Sequence, residues 1–289
     1  MLNGINAQFA LENQLQFITH PCGLIQGNVS TELCSGQFYL HGAHVAQFQP
    51  RGAEPLLFMS QRSEMRDDKP IRGGVPLCFP WFGPHPTDAT AASHGLVRTQ
   101  SWQLQATSLE ADRVVRVELG LIVERWQLTY TVRWGASLDL NLAIGNLADE
   151  PRDCEVALHT YFALADVHTA SVRGLEQQTH LDKLTGATEP ASGQAIRFTQ
   201  ETDRVYHGSV PEVIIDDPGH QRQICVLPRN SQSTVVWNPW FAKSQRMSDF
   251  GDNEYLRMCC VETANVGSDR LHILPRSTAN LGCVVGLKM

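Results

Sequence analysis

The chain has 289 residues, of which 42% are hydrophobic and 18% charged, and it carries a formal net charge of −7. These proportions suit a water-soluble fold with a substantial core, and the length suits one large all-β domain as well as two smaller ones. The acidic balance repels nucleic acid and anionic membrane surfaces, so neither is expected as a partner. An anionic ligand would have to be held by a local cluster of cations.

Strand signals begin early, with a run over residues 37–48 and a second over 56–59. Next comes Arg72-Gly-Gly-Val-Pro-Leu-Cys-Phe-Pro-Trp-Phe-Gly-Pro84, followed by Ser93-His94-Gly95-Leu96-Val97-Arg98. Two guanidinium groups, an imidazole and several aromatic rings lie here among glycines and prolines. Arginine forks match phosphate oxygens in two-point contact, and aromatic faces pack on the C–H surface of a sugar ring. The stretch therefore reads as a binding loop for an anionic, hydroxyl-rich ligand.

Further strands are expected at 102–107 and 113–123. Trp126, Leu128, Tyr130, Val132 and Trp134 then alternate with polar residues, and after a Gly135-Ala136-Ser137 turn Leu138, Leu140, Leu142 and Ile144 do the same. This predicts a long β-hairpin with one face buried. Residues 149–152 and 185–193 read as loops. Shorter strands are expected at 213–215, 223–227, 234–237 and 281–287. No long stripe of period 3.6 interrupts them, so the fold class is a large antiparallel β-sandwich, expected as one domain over 1–289.

In Cys154-Glu-Val-Ala-Leu-His-Thr-Tyr-Phe162, strand alternation puts Ala157, His159 and Tyr161 on one face. His159 is a candidate acid or base, or else a hydrogen-bonded structural histidine. Asp203 can accept hydrogen bonds from sugar hydroxyls or cap a turn, the latter being the ordinary use of an isolated aspartate. Lys243 is a phosphate contact or, more ordinarily, a solvated lysine. Glu262, alone in Met258-Cys-Cys-Val-Glu-Thr-Ala-Asn265, is costly to bury unless it is paired with an arginine or tuned as a general base.

Metal chemistry has little support. On a strand His41 and His44 would point to opposite faces, and Asp249, Asp252 and Glu254 lack the ligand spacing of a calcium loop. The cysteines Cys22, Cys34, Cys78, Cys154, Cys225, Cys259, Cys260 and Cys283 include no C-x-x-C pair. Most sit in apolar runs such as Leu77-Cys78-Phe79 and Ile224-Cys225-Val226, as small buried hydrophobes do. With no basic start leading into an apolar run and no stretch of membrane-spanning length, the sequence reads as cytoplasmic and reduced.

In order, the blocks 72–84, His94-Gly-Leu-Val-Arg98 with Trp102, Leu158-His-Thr-Tyr-Phe162, Asp203-Arg-Val-Tyr206, Val236-Trp-Asn-Pro-Trp240 with Lys243, and 249–255 running into Val261-Glu-Thr263 span most of the chain. Together they resemble the aldose 1-epimerase (galactose mutarotase) superfamily, specifically its hexose-6-phosphate mutarotase branch. The resemblance implies the same large antiparallel β-sandwich and a monomer. It also implies Glu262 as general base, His159 as general acid, Arg72 and Arg98 on the phosphate of glucose 6-phosphate or a related sugar phosphate, and His94 and Asp203 on ring hydroxyls. Acid–base ring opening needs no metal and no organic cofactor. Ser93 departs from the pattern, since a longer amide side chain is expected before His94, and its hydroxyl or phosphate contact is in question. Alternatives are a mutarotase for unphosphorylated aldoses, a non-catalytic carbohydrate-binding protein of the same fold, and a glycosidase with Asp203 as second carboxylate.

Overall fold

The computed structural model describes residues 2–288. The hairpin Trp126–Trp134 and Leu138–Asn146 is present in full register, from Trp126 opposite Asn146 to Trp134 opposite Leu138. Its alternation works as the sequence requires. Trp126, Leu128, Tyr130, Val132 and Trp134 are buried, while the intervening residues face outward. Around this hairpin a nine-stranded antiparallel sheet grows, with Val115–Val123 and Gln103–Leu109 on one side and Thr278–Leu287, Arg222–Arg229 and Val213–Asp217 on the other.

A second, eight-stranded sheet packs against the first. Its central strands are Thr202–His207, Ser233–Asn238 and Met258–Asn265, and the last of these is flanked by Val156–Leu158 and Tyr161–Ala163. Val236, Cys259, Val261, Val156, Leu158 and Phe162 share one apolar cluster with the inward residues of the hairpin. The antiparallel sandwich expected from the pattern is thus the architecture observed. A four-stranded sheet from Leu15–Thr19 to His44–Pro50 closes one side, packing Phe38 and Phe48 on Trp134.

Several sequence expectations change in detail. The run at 37–48 is two strands, Cys34–Tyr39 and His44–Pro50, joined through the left-handed Gly42 and Ala43. Residues 56–59 form only isolated bridges, Leu57 to Phe162 and Met59 to Gly73, because their backbone partners come from different segments. The loop at 185–193 contains a short exposed strand, Thr188–Glu189, and the helix Leu2–Phe9 precedes the first strand. All eight cysteines are free. Cys22 is exposed and Cys225 only half-buried, its thiol donating to Glu212, so the apolar run around Cys225 does not seal it. Among the described residues no helix is long and apolar enough to cross a membrane.

The binding loop is shaped by close backbone approaches. At Gly95, φ is +86° and a Cβ would stand 1.9 Å from the Phe79 carbonyl oxygen. At Gly74 a Cβ would meet the Val45 carbonyl oxygen at 2.2 Å. Neither position can hold a side chain without displacing backbone.

Two outcomes follow for stability. Gly95→Ala is expected to destabilise the fold by at least ~1–3 kcal/mol in denaturant titration, through left-handed strain and the carbonyl clash. Tyr130→Phe should leave stability unchanged or raise it by ~1 kcal/mol, because the Tyr130 hydroxyl is buried without a hydrogen-bond partner among the described residues. A clear loss in Tyr130→Phe would show that this hydroxyl is satisfied.

Candidate active site

The outer face of the eight-stranded sheet carries the polar residues, and strand register explains why they meet. Asp203 lies opposite Trp237, and Trp237 opposite Cys260. Glu262 is two residues beyond Cys260 and so returns to that face, opposite Val235. On the other side, Leu158 pairs with Thr263 and Tyr161 with Cys260, so the intervening His159 and Thr160 lie beside Val261 and Glu262. The regular ladder is interrupted here: the Val261 amide still donates to the Thr160 carbonyl at 3.3 Å, but the His159 amide donates instead to the Pro76 carbonyl at 3.0 Å. Ala157 and Tyr161 share the face of His159, as alternation requires.

His159 Nδ1 stands 3.4 Å from Glu262 Oε1. The angle makes no hydrogen bond, and His159 Nδ1 and Glu262 Oε2 are buried without a hydrogen-bond partner among the described residues. Glu262 is 1% and His159 7% exposed. Neither ordinary structural explanation holds among the described residues: no arginine pairs with the carboxylate, and no neighbour satisfies the Nδ1. Burial, then the nearby Asp203 charge, pushes the Glu262 carboxyl well above its usual range, with Lys183 opposing. Burial also pushes His159 well below its usual value, helped by His94, Arg72 and Arg98. Tyr161 stacks on His159 at 4.9 Å, with 10° between the rings.

Arg72 sits at the entrance to the glycine loop, its Nη1 donating to the Tyr161 hydroxyl at 2.9 Å and its Nε to Asp249 at 3.1 Å. Arg98 differs. Its guanidinium donates to the Ser93 carbonyl, and no carboxylate lies within ion-pair distance among the described residues. Burial pushes its pKa down, against the pull of Asp249 and Tyr161. Ser93 therefore reaches the site chiefly through its backbone. His94 has φ of +64°, and its Nδ1 accepts from the Gly83 amide at 3.2 Å. That bond fixes the proton on Nε2, leaving it as a donor, and burial holds the ring neutral with a pKa pushed down to about 3.

All the sequence-derived candidates, Arg72, Ser93, His94, Arg98, His159, Asp203 and Glu262, line one cavity of about 270 Å³. Two expectations are corrected. Asp203 is neither a turn nor a cap residue: it lies within the strand Thr202–His207, 3.8 Å from both Lys183 and Lys243. Lys243 is not a freely solvated lysine: it lines the cavity, pairs with Glu201 at 2.9 Å and lies over Trp237. The supposed calcium-loop acids are engaged elsewhere, Asp249 with Arg72, Asp252 with Arg62 and Glu254 with the amides of Gln61 and Gly251.

Sequence reading passed over Lys183 altogether and gave Tyr161 and Phe82 no role. Lys183 follows the strand His180–Asp182, donates its amide to the Asp203 carbonyl and lies over the Phe82 ring. Its cavity position depends on strand pairing and leaves no local signal. Cys260 also lies beside His159 and Glu262.

The chain is similar to known proteins over most of its length. The aldose 1-epimerase family model matches residues 29–278. A protein of Cenchrus ciliaris named "Putative glucose-6-phosphate 1-epimerase" is 32% identical, with 81% of this chain and 75% of that protein covered. An Escherichia coli K12 protein of the same name is 34% identical, covering 78% of each. The crystal structure of a Salmonella typhimurium protein described as a "putative mutarotase" superposes with a TM-score of 0.88 at 26% identity, over 99% of both chains. A sandwich of this topology and a match over most of the sequence converge on one conclusion: the chain belongs to the aldose 1-epimerase family and is an isomerase of sugar anomers.

Proposed function

We propose that the protein interconverts the α and β anomers of glucose 6-phosphate and related hexose 6-phosphates, with Glu262 as general base and His159 as general acid. The observation that carries the phosphorylated substrate is Arg98, a half-buried guanidinium that lines the cavity, is bonded to a backbone carbonyl and has no carboxylate partner among the described residues. Such a cation is offset best by an anion brought in by the ligand. Arg72 supplies a second fork beside it. The names borne by the relatives favour the same substrate.

Ring opening moves two protons. Glu262 takes the proton of the C1 hydroxyl as His159 gives one to the ring oxygen, and the C1–O5 bond breaks to leave the free aldehyde. Rotation about C1–C2 exposes the other carbonyl face, and closure reverses both transfers. His94 Nε2–H and Asp203 are suited to hold ring hydroxyls as donor and acceptor. Burial favours the uncharged pair, carboxylic acid beside imidazole, and that is the state reached once the ring has opened. The cavity thereby lowers the energy of the open-chain intermediate relative to the closed sugar.

Anomer exchange of glucose 6-phosphate, followed by NMR, tests the assignment. His159→Ala and Glu262→Gln should each lose roughly 10²–10⁴-fold in kcat. Arg98→Ala should raise KM for glucose 6-phosphate while leaving exchange of plain glucose nearly unchanged. Full activity in Glu262→Gln excludes it as the base, and equal effects of Arg98→Ala on both sugars exclude the phosphate role. A binding protein of the same fold would show no exchange at all.

The pH dependence has a defined form. Catalysis needs one proton shared by the pair, so the rate should be bell-shaped, with limbs that belong to the pair rather than to either residue. The acid limb should lie below 6.5, because His159 is depressed, and the basic limb well above 4.5, because Glu262 is raised. Stability obeys the same linkage. A raised carboxyl favours the folded state only while protonated, so wild-type stability falls as pH rises from about 4.5 through the raised folded value. Glu262→Gln lacks that ionisation. Its melting temperature should gain on the wild type between pH 4.5 and neutrality, and a constant difference would mean that Glu262 is not raised.

A further inference from the structure

The acid–base mechanism has no use for Cys260, yet this thiol lies under the reacting pair. Cys260 and Glu262 alternate on one strand and so present their side chains on the same face. Cys260 Sγ, an imidazole nitrogen of His159 and a carboxylate oxygen of Glu262 all lie within 4.8 Å of one another, and all three residues are buried. Among the described residues this is the group of three such donors close enough to share an ion. Two of its polar atoms, His159 Nδ1 and Glu262 Oε2, are buried with no hydrogen-bond partner among the described residues.

We propose that His159, Cys260 and Glu262 form a binding site for a thiophilic divalent cation, zinc or cadmium, that takes the acid–base pair out of service when occupied. One sulfur, one nitrogen and one oxygen make a three-point set with the fourth tetrahedral position open to the cavity, an arrangement zinc accepts. Magnesium and calcium, which need six or more oxygen ligands, are excluded by the donor set. Charge balances on binding: thiolate and carboxylate together neutralise the ion, and the displaced thiol and carboxyl protons pass to solvent. Coordination uses the lone pairs that would otherwise accept and relay the sugar protons, so metal and catalysis exclude each other. The ion is not a cofactor of the proposed reaction.

The alternative, a cysteine serving only to pack beside Tyr161 and Trp237, is distinguished by metal titration of the full chain. Cadmium should produce a thiolate-to-metal charge-transfer absorption in the wild type. The band should vanish in Cys260→Ser and persist in Cys22→Ser, which removes the exposed thiol 2.8 Å from His20 Nδ1. Zinc affinity measured by calorimetry should fall at least ~10-fold in Cys260→Ser. Should Cys260→Ser fail to fold, His159→Gln removes a different donor and must weaken cadmium binding by a comparable factor. A band that survives in Cys260→Ser, or that disappears in Cys22→Ser, overturns the proposal, as does a wild type that shows none. None of these readouts depends on turnover, so they stand apart from any failure of the mutarotase reading.

Discussion

The structure turns on the burial of one carboxyl group that has no lysine or arginine partner among the described residues. Glu262 lies in a strand buried on both faces, between a valine on the neighbouring strand and an imidazole that approaches but does not hydrogen-bond to it. An isolated buried carboxylate is expensive, and burial answers that cost by raising the carboxyl well above its usual range rather than by pairing it with a fixed cation. The core on the opposite face of the same sheet, with its three fully buried tryptophans, supplies the stability this requires. Facing the cavity on the other side are the left-handed His94, the unpartnered polar atoms of His159 and Glu262, and the displaced acidities of that pair. Such a division of labour between two sides of one sheet marks a site that sacrifices stability for chemistry.

Electrostatics across the cavity differ from those of the whole chain. The molecule carries a formal charge of −7, yet Arg72, Arg98, Lys183 and Lys243 all line one cavity. Three of them are already balanced, Arg72 by Asp249, Lys243 by Glu201, and Lys183 partly by Asp203. Only Arg98 brings its charge to the cavity without a nearby carboxylate among the described residues, which localises the attraction for an anion to one end of the site. The global field discourages nonspecific association with polyanions, while the local one favours a small anion.

Much of this was readable before the fold was known, for identifiable reasons. Trp126 to Trp134 announces its strand because strict alternation admits no other use of so many large apolar side chains. Glu262 and His159 stood out because each is chemically out of place in an apolar strand. Residues 56–59 misled because burial without a continuous backbone ladder looks, in sequence, like a strand. Asp203 and Lys243 were undervalued because an isolated charge has no local signature; their neighbours arrive through pairing with His180–Asp182 and through the Trp240–Ser244 helix. Lys183 and the bond from Arg98 to the Ser93 carbonyl are products of long-range register and tight loop geometry. No window of sequence contains them.

The broken ladder at His159 has a mechanical corollary. The amide of His159 is held by Pro76 and that of Tyr161 by Gly74, so the imidazole takes its position from the segment that begins at Arg72 rather than from its own strand. The His159 imidazole and the Arg72 guanidinium are therefore carried by one segment. When that segment shifts, the two side chains move in concert and the distance between imidazole and guanidinium is preserved.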